Sequence, residues 1–183
     1  MRIIGGKIKG VRINPPANLP VRPTTDLAKE ALFNILNNQY DLENIRVLDL
    51  FSGTGNVSLE FASRDAEVVV SVDKHFGCFS FLKAVARKYD LPNIRATKGD
   101  VFKFLEMETD QFDIIFADPP YDLPTIPMIP EIIFRRNLLT AEGVLIVEHP
   151  SLKKIDSPYF VEQRKYGYSS FSFFQHPDNP DKV

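Results

Sequence analysis

The 183-residue chain has a single cysteine, Cys78. That rules out an internal disulfide and fits a reducing compartment. Apolar runs are short: none approaches the roughly 20 residues that a membrane-spanning helix needs. No apolar signal core follows Arg2, so nothing suggests secretion. The expectation is a cytoplasmic protein with no membrane partner. The three histidines, His75, His149 and His176, have no ligand spacing, so no metal site is expected. Internal repeats and low-complexity segments are absent. The net charge of −2 by itself argues against a nucleic-acid binder.

The distribution of that charge argues differently. Residues 1–30 carry +4, leaving −6 on the remainder. A basic arm on an acidic body is the asymmetry of a protein that meets phosphates with one face, although a solvated charged terminus gives the same count. A composition of 44% hydrophobic and 25% charged residues is ordinary for a globular protein, and the length predicts one domain with a sizeable core. The predicted organisation is one domain over 1–183, with residues 1–40 an appendage and 41–183 the core.

In chain order, β-prone residues 2–4 and 11–13 flank Gly5-Gly6-Lys7-Ile8-Lys9-Gly10 and predict a hairpin. A proline-rich connector, residues 14–20, follows. Thr24 or Thr25 can cap a helix whose Ala28, Ala31, Leu32 and Ile35 form one buried face, ending near Asn37-Asn38. From Arg46 onward, strands alternate with helices. Strands are predicted at 47–50, 68–72, 94–97, 112–117 and 144–148, with helices at 57–64, 77–89, 101–107 and 129–138. Continuous apolar strands between helices imply a parallel sheet covered on both faces, an α/β architecture. Residues 159–164 and 171–174 predict an antiparallel edge hairpin.

Asp49-x-Phe51-x-Gly53-x-Gly55 lies between the first strand and its helix. Two glycines tolerate positive φ and let a ligand approach the backbone. The dinucleotide fingerprint would place a third glycine where Ser58 stands. Asp73, at the end of the second strand, suits the two hydroxyls of a ribose. Nicotinamide cofactors and S-adenosylmethionine both present one. The missing glycine and the nearby Asp49, which would attract a sulfonium and repel a pyrophosphate, favour the latter. Asp100, before Val101, can accept from an adenine amine, and equally can cap the next helix. Asp118-Pro119-Pro120-Tyr121 follows the fourth strand. Two prolines hold a stiff turn whose carbonyls face outward, beside a carboxylate and a stacking ring. As an isolated motif it reads as a surface turn. With acidic residues at four strand ends, where open α/β sheets bind ligands, it reads as a site for a planar ligand bearing an exocyclic amine.

These residues resemble class I S-adenosylmethionine-dependent methyltransferases acting on exocyclic amines. Arg2-Ile3-Ile4-Gly5-Gly6, Arg22-Pro23-Thr24-Thr25-Asp26, Glu30-x-Leu32-Phe33-Asn34, Asp49 to Gly55, the Asp118 turn and Val147-Glu148 resemble the RsmD family more narrowly, in order along the chain. Two departures stand out: Lys29 replaces a usual arginine, and a basic extension before the first strand is not seen. The resemblance implies a Rossmann-like, doubly wound, seven-stranded sheet, mostly parallel with the last strand antiparallel, plus an N-terminal hairpin and helix. It implies methylation of a guanine N2 in small-subunit (16S) ribosomal RNA, in an assembled or partly assembled particle. Asp49, Phe51, Gly53, Gly55, Asp73, Asp100 and Val101 would hold S-adenosylmethionine. Asp118, Pro119, Pro120 and Tyr121 would be catalytic, and Arg2, Lys7, Arg12 and Arg22 would meet RNA phosphates.

On that reading, Tyr121 stacks on an extruded guanine while Asp118 and a carbonyl near Pro119 accept from its N2 amine. Those acceptors stabilise the positive charge that forms there. An adenine-N6 methyltransferase would use the same turn, although 183 residues leave little room for its recognition domain. A non-catalytic RNA- or nucleotide-binding module is the other alternative. Cys78 is predicted within a helix as a buried small residue, which disfavours a thiol-dependent 5-methylpyrimidine enzyme.

Overall fold

The computed structural model describes residues 1–20 and 25–179. Seven strands, β1 (Arg46–Leu50), β2 (Val68–Asp73), β3 (Ile94–Lys98), β4 (Phe112–Ala117), β5 (Leu139–Pro150), β6 (Phe160–Tyr166) and β7 (Ser169–Phe174), form one sheet in the order β3-β2-β1-β4-β5-β7-β6. The neighbours from β3 to β5 pair in parallel, and β7 is antiparallel to both β5 and β6. The order reverses between β1 and β4, so a crevice opens at their carboxyl ends. Among the described residues, α1 (Asp26–Gln39) precedes β1, and α2 (Asn56–Ser63), α3 (Phe76–Lys88), α4 (Val101–Met107) and α5 (Met128–Arg135) connect the consecutive strands from β1 to β5. None of the described helices is long and apolar enough to cross a membrane.

The sequence period of two divides the core. Val47, Val69, Ile114, Phe116 and Ile146 pack with Leu32, Phe61 and Leu82, on the face covered by α1, α2 and α3. Their neighbours Leu48, Val72, Ile115, Ala117 and Val147 pack with Val101, Leu105, Ile129 and Ile133 of α4 and α5. Both faces are buried, so the central strands are apolar at nearly every position. Asp49 and Ser71 are buried polar exceptions, paired in register under α2. Cys78 lies buried in α3, and burial pushes its thiol up to about 11.

Three element boundaries differ from expectation. The N-terminal hairpin forms but is short: Arg2 bridges Arg12, flanked by the Ile3 amide on Val11 O at 3.0 Å and the Ile13 amide on Met1 O at 2.9 Å. The amides of Ile4 and Gly5 turn instead to the Glu60 carboxylate, at 2.9 and 2.8 Å. Gly6, at φ 74°, lies so close to α2 that an added Cβ would sit 1.8 Å from the Ser63 carbonyl oxygen. Helix α5 stops at Arg135. Asn137 takes φ 54°, and the Leu138 amide reaches back to the Ile133 carbonyl at 3.0 Å. That closure is a Schellman motif, which ends a helix without glycine. Strand β5 begins at Leu139, which pairs with Phe112 before a register shift.

Candidate active site

The carboxyl ends of β1, β2, β3 and β4 bring the sequence-predicted groups to one edge. After β1, Phe51, Gly53 and Gly55 all have positive φ (59°, 53° and 81°). The coil pulls the Ser52 amide onto the Val72 carbonyl at 3.0 Å and the Gly53 amide onto Asp73 Oδ2 at 2.9 Å. Gly55 starts α2, and a Cβ there would come within 2.4 Å of Leu82 Cδ1. Glycine is needed here for both conformation and space.

Asp73 organises the loops around itself. Its Oδ1 accepts from the His75 amide at 2.8 Å, and its carbonyl accepts from Gly99 at 3.0 Å. Each carboxylate oxygen has two lone pairs, so each retains acceptor capacity for a hydroxyl. The Gly99 contact carries Asp100 to the same edge, where its Oδ1 caps α4 through the Lys103 amide at 3.0 Å. Capping and ligand binding are therefore compatible at Asp100. Val101, the first residue of α4, is buried, and Phe51 meets Phe102 edge to face with ring centroids 6.3 Å apart.

Asp49 sits deeper than the rest, 2% exposed. It accepts from the Ser58 hydroxyl, which is also 2.7 Å from Ser71 Oγ. Burial pushes its carboxyl up to about 7, against the Ser58 hydrogen bond, with the neighbouring Asp73 adding a smaller upward push. Its charge is accordingly poised near neutrality and would be drawn out by a nearby cation.

The Asp118 amide continues the parallel ladder, donating to Leu50 O at 3.3 Å. This sets the Asp118 turn beside the glycine loop. Pro119 is buried and Pro120 exposed. The Tyr121 hydroxyl donates to Glu148 Oε1 at 3.2 Å, and its carbonyl accepts from Lys153 Nζ at 2.7 Å. Neither Glu148 nor Lys153 was singled out as a site residue from sequence. Glu148 follows Val147, opposite Ala117, and the residue after β4 is the motif; that offset is the signal that could have found it.

On the other flank, Arg2 and Arg12 are exposed beside a cleft of about 250 Å³ lined with Met1, Asn14 and Asp26. Lys7 lies 3.4 Å from Asp65. Arg22 lies outside the described residues. Lys29 is fully buried and donates to Arg2 O at 2.6 Å and Asn56 Oδ1 at 2.8 Å, with Glu60 at 3.4 Å. Burial lowers its pKa and Glu60 opposes that. Lys29 thus ties the basic arm to the start of α2, just past the glycine loop. His149 is enclosed, with Nε2 2.7 Å from Ser172 Oγ, and burial lowers its pKa. It holds β5 to β7.

Known proteins resemble this chain along most of its length. Residues 1–175 match the model of the family described as conserved hypothetical protein 95. The chain belongs to that family, the RsmD family. Ribosomal RNA small subunit methyltransferase D of Buchnera aphidicola subsp. Baizongia pistaciae is 28% identical over 159 residues, 86% of this chain and 81% of that protein. The protein of the same name from Escherichia coli K12 is 28% identical over 148 residues, 81% and 74% of the two chains. A solved hypothetical protein from Thermus thermophilus superposes with a TM-score of 0.84 at 30% identity, covering 96% of this chain and 99% of that one.

Proposed function

We propose that this protein is an S-adenosylmethionine-dependent methyltransferase acting on the exocyclic N2 of a guanine in small-subunit ribosomal RNA, within an assembled or partly assembled particle. One observation carries the reading: the Asp118 amide on the Leu50 carbonyl, which joins the amine-presenting turn to the glycine loop. The relatives' shared name supports the reaction class and the RNA.

The residues present fit the cofactor. Asp73 keeps acceptor capacity for ribose hydroxyls, Asp100 for an adenine amine, and Asp49 is a carboxylate that a cation would ionise. When bound, S-adenosylmethionine supplies a methyl group on a sulfonium. The chain's own residues do the rest. Tyr121 presents a ring whose position Glu148 fixes, suited to stacking on an extruded base. Asp118 accepts from the amine, orients its lone pair and stabilises the charge that develops as the nitrogen gains a fourth bond. The buried Pro119 beside it limits water. Asp118 then stands where it can accept the proton the nitrogen sheds.

The test uses small subunits from cells lacking this methylation, with the modified base mapped by mass spectrometry. Methyl-N2-guanine is the expected product. Asp118→Ala should retain cofactor binding and lose methylation by orders of magnitude. Full activity in that variant, or methyl transfer to adenine in DNA, overturns the proposal.

A further inference from the structure

The two most exposed large apolar side chains among the described residues are Leu152, at 98%, and Tyr168, at 91%. They lie on two turns at the catalytic edge of the sheet, one after β5 and one between β6 and β7. The turns are joined. The Ser151 amide donates to the Tyr168 carbonyl at 2.9 Å, and Ser151 Oγ donates to Gly167 O at 3.0 Å. Lys153, on the first turn, holds the Tyr121 carbonyl. A continuous run of hydrogen bonds therefore leads from the candidate catalytic turn to Tyr168.

Cations outnumber anions around the turns, where exposed Asp156 and the half-buried Glu162 are the nearby carboxylates in sequence. Lys153, Lys154 and Lys165 are exposed, and among the described residues none lies within ion-pair distance of a carboxylate. Glu162 is engaged by Arg164 at 2.6 Å. An exposed ring beside ammoniums that no carboxylate neutralises is the combination that single-stranded nucleic acid uses, bases stacking on the ring and phosphates meeting the cations. A second copy of this chain fits poorly, because a two-fold contact would set the same lysines against each other.

We infer that these two turns form a docking platform for single-stranded RNA next to the target nucleotide, with a flanking base on Tyr168 and phosphates at Lys154 and Lys165. The inference rests on the RNA reading above. It places RNA contacts on the side of the site away from the basic arm, so the substrate would be gripped on both flanks.

The experiment measures methyl transfer from labelled S-adenosylmethionine to small subunits lacking the modification. It compares the wild type, Tyr168→Ala, Tyr168→Trp and the double variant Lys154→Glu/Lys165→Glu. Tyr168→Ala should raise KM for the particle roughly tenfold, the loss of one stacked base, with the effect on KM rather than kcat. Tyr168→Trp should restore it, which a merely structural role would not predict. The lysine variant should raise KM and flatten its salt dependence by roughly 1.5 to 2 in log–log slope, for two lost phosphate contacts. Calorimetry with S-adenosylmethionine and thermal melting should give wild-type values for all variants. Wild-type KM in both Tyr168→Ala and the lysine variant overturns the platform and leaves the RNA reading standing. So does a Tyr168→Ala loss explained by weaker cofactor binding or by altered oligomeric state in light scattering. A wild-type protein that methylates no RNA overturns both.

Discussion

The hydroxyl of Tyr121 donates to the carboxylate of Glu148 across the carboxyl ends of β4 and β5, at 3.2 Å. A ring held at its far end cannot rotate away from a ligand, so the bond pre-organises a stacking surface. Tyr121→Phe keeps the ring and loses the anchor, and kcat should fall several-fold. Tyr121→Ala removes both, and a further drop of about tenfold or more is expected from the lost stack. Equal activity of the two variants in single-turnover assays would mean that the ring itself contributes nothing.

If Asp49 faces the sulfonium as proposed, cofactor affinity should depend on pH. Its carboxyl is held near 7, above its ordinary value of 3.8. The sign follows from linkage: a cationic ligand binds the ionised form better, so a protonated Asp49 must release its proton on binding. The Kd for S-adenosylmethionine should fall as pH rises through about 7 and level off above. Calorimetry in buffers of different ionisation enthalpy should register the released proton. Asp49→Asn should abolish the pH dependence.

Lys29 and Glu60 lie at the junction of α1, α2 and the N-terminal arm. Removing one partner of a buried pair strands the other, at a cost of about 3–5 kcal/mol. Lys29→Met should sit at the lower end, because Arg64 still pairs with Glu60 at 2.9 Å. Denaturant unfolding measures the loss. Lys29→Arg should retain most of the stability if the larger guanidinium fits between Arg2 O and Asn56.

Gly6 and Gly10 provide a matched pair. Both have positive φ, 74° and 87°, but only Gly6 faces backbone, with a virtual Cβ 1.8 Å from the Ser63 oxygen; nothing lies within 4 Å at Gly10. Gly10→Ala should cost about 1 kcal/mol of backbone strain. Gly6→Ala must also move the arm off α2. Its loss should exceed that of Gly10→Ala in thermal melts, with a raised KM for the particle.

The alternation of strands and helices and the continuous apolar strands are legible in the sequence because each is a local pattern with a physical period, and the cap of α1 is legible to within one residue, Thr24 or Thr25, with Thr25 the cap observed. The strand-end carboxylates were legible because each follows an apolar run. Long-range polar pairing was not. No local signal announces that the amides of Ile4 and Gly5 go to Glu60, 56 and 55 residues away, so a glycine-rich segment reads as a hairpin alone. Lys29 reads in the sequence as one charge of the basic arm, and only the packing shows it enclosed. Asp49 reads as a ligand from its place at the end of a strand, and only the fold shows that it is buried and hydrogen-bonded by Ser58. The αL turn at Asn137 hid the end of α5, because the chain there lacks the glycine that usually marks such a stop.

The buried Cys78 gives the molecule a practical property. Its thiol is both enclosed and hard to ionise, so it should stay silent towards maleimide under native conditions. A cysteine introduced at Leu152 would then be the one reactive position on the chain. A dye placed there would report arrival of the ribosomal particle at the lip of the cleft, in real time and without any chemistry taking place.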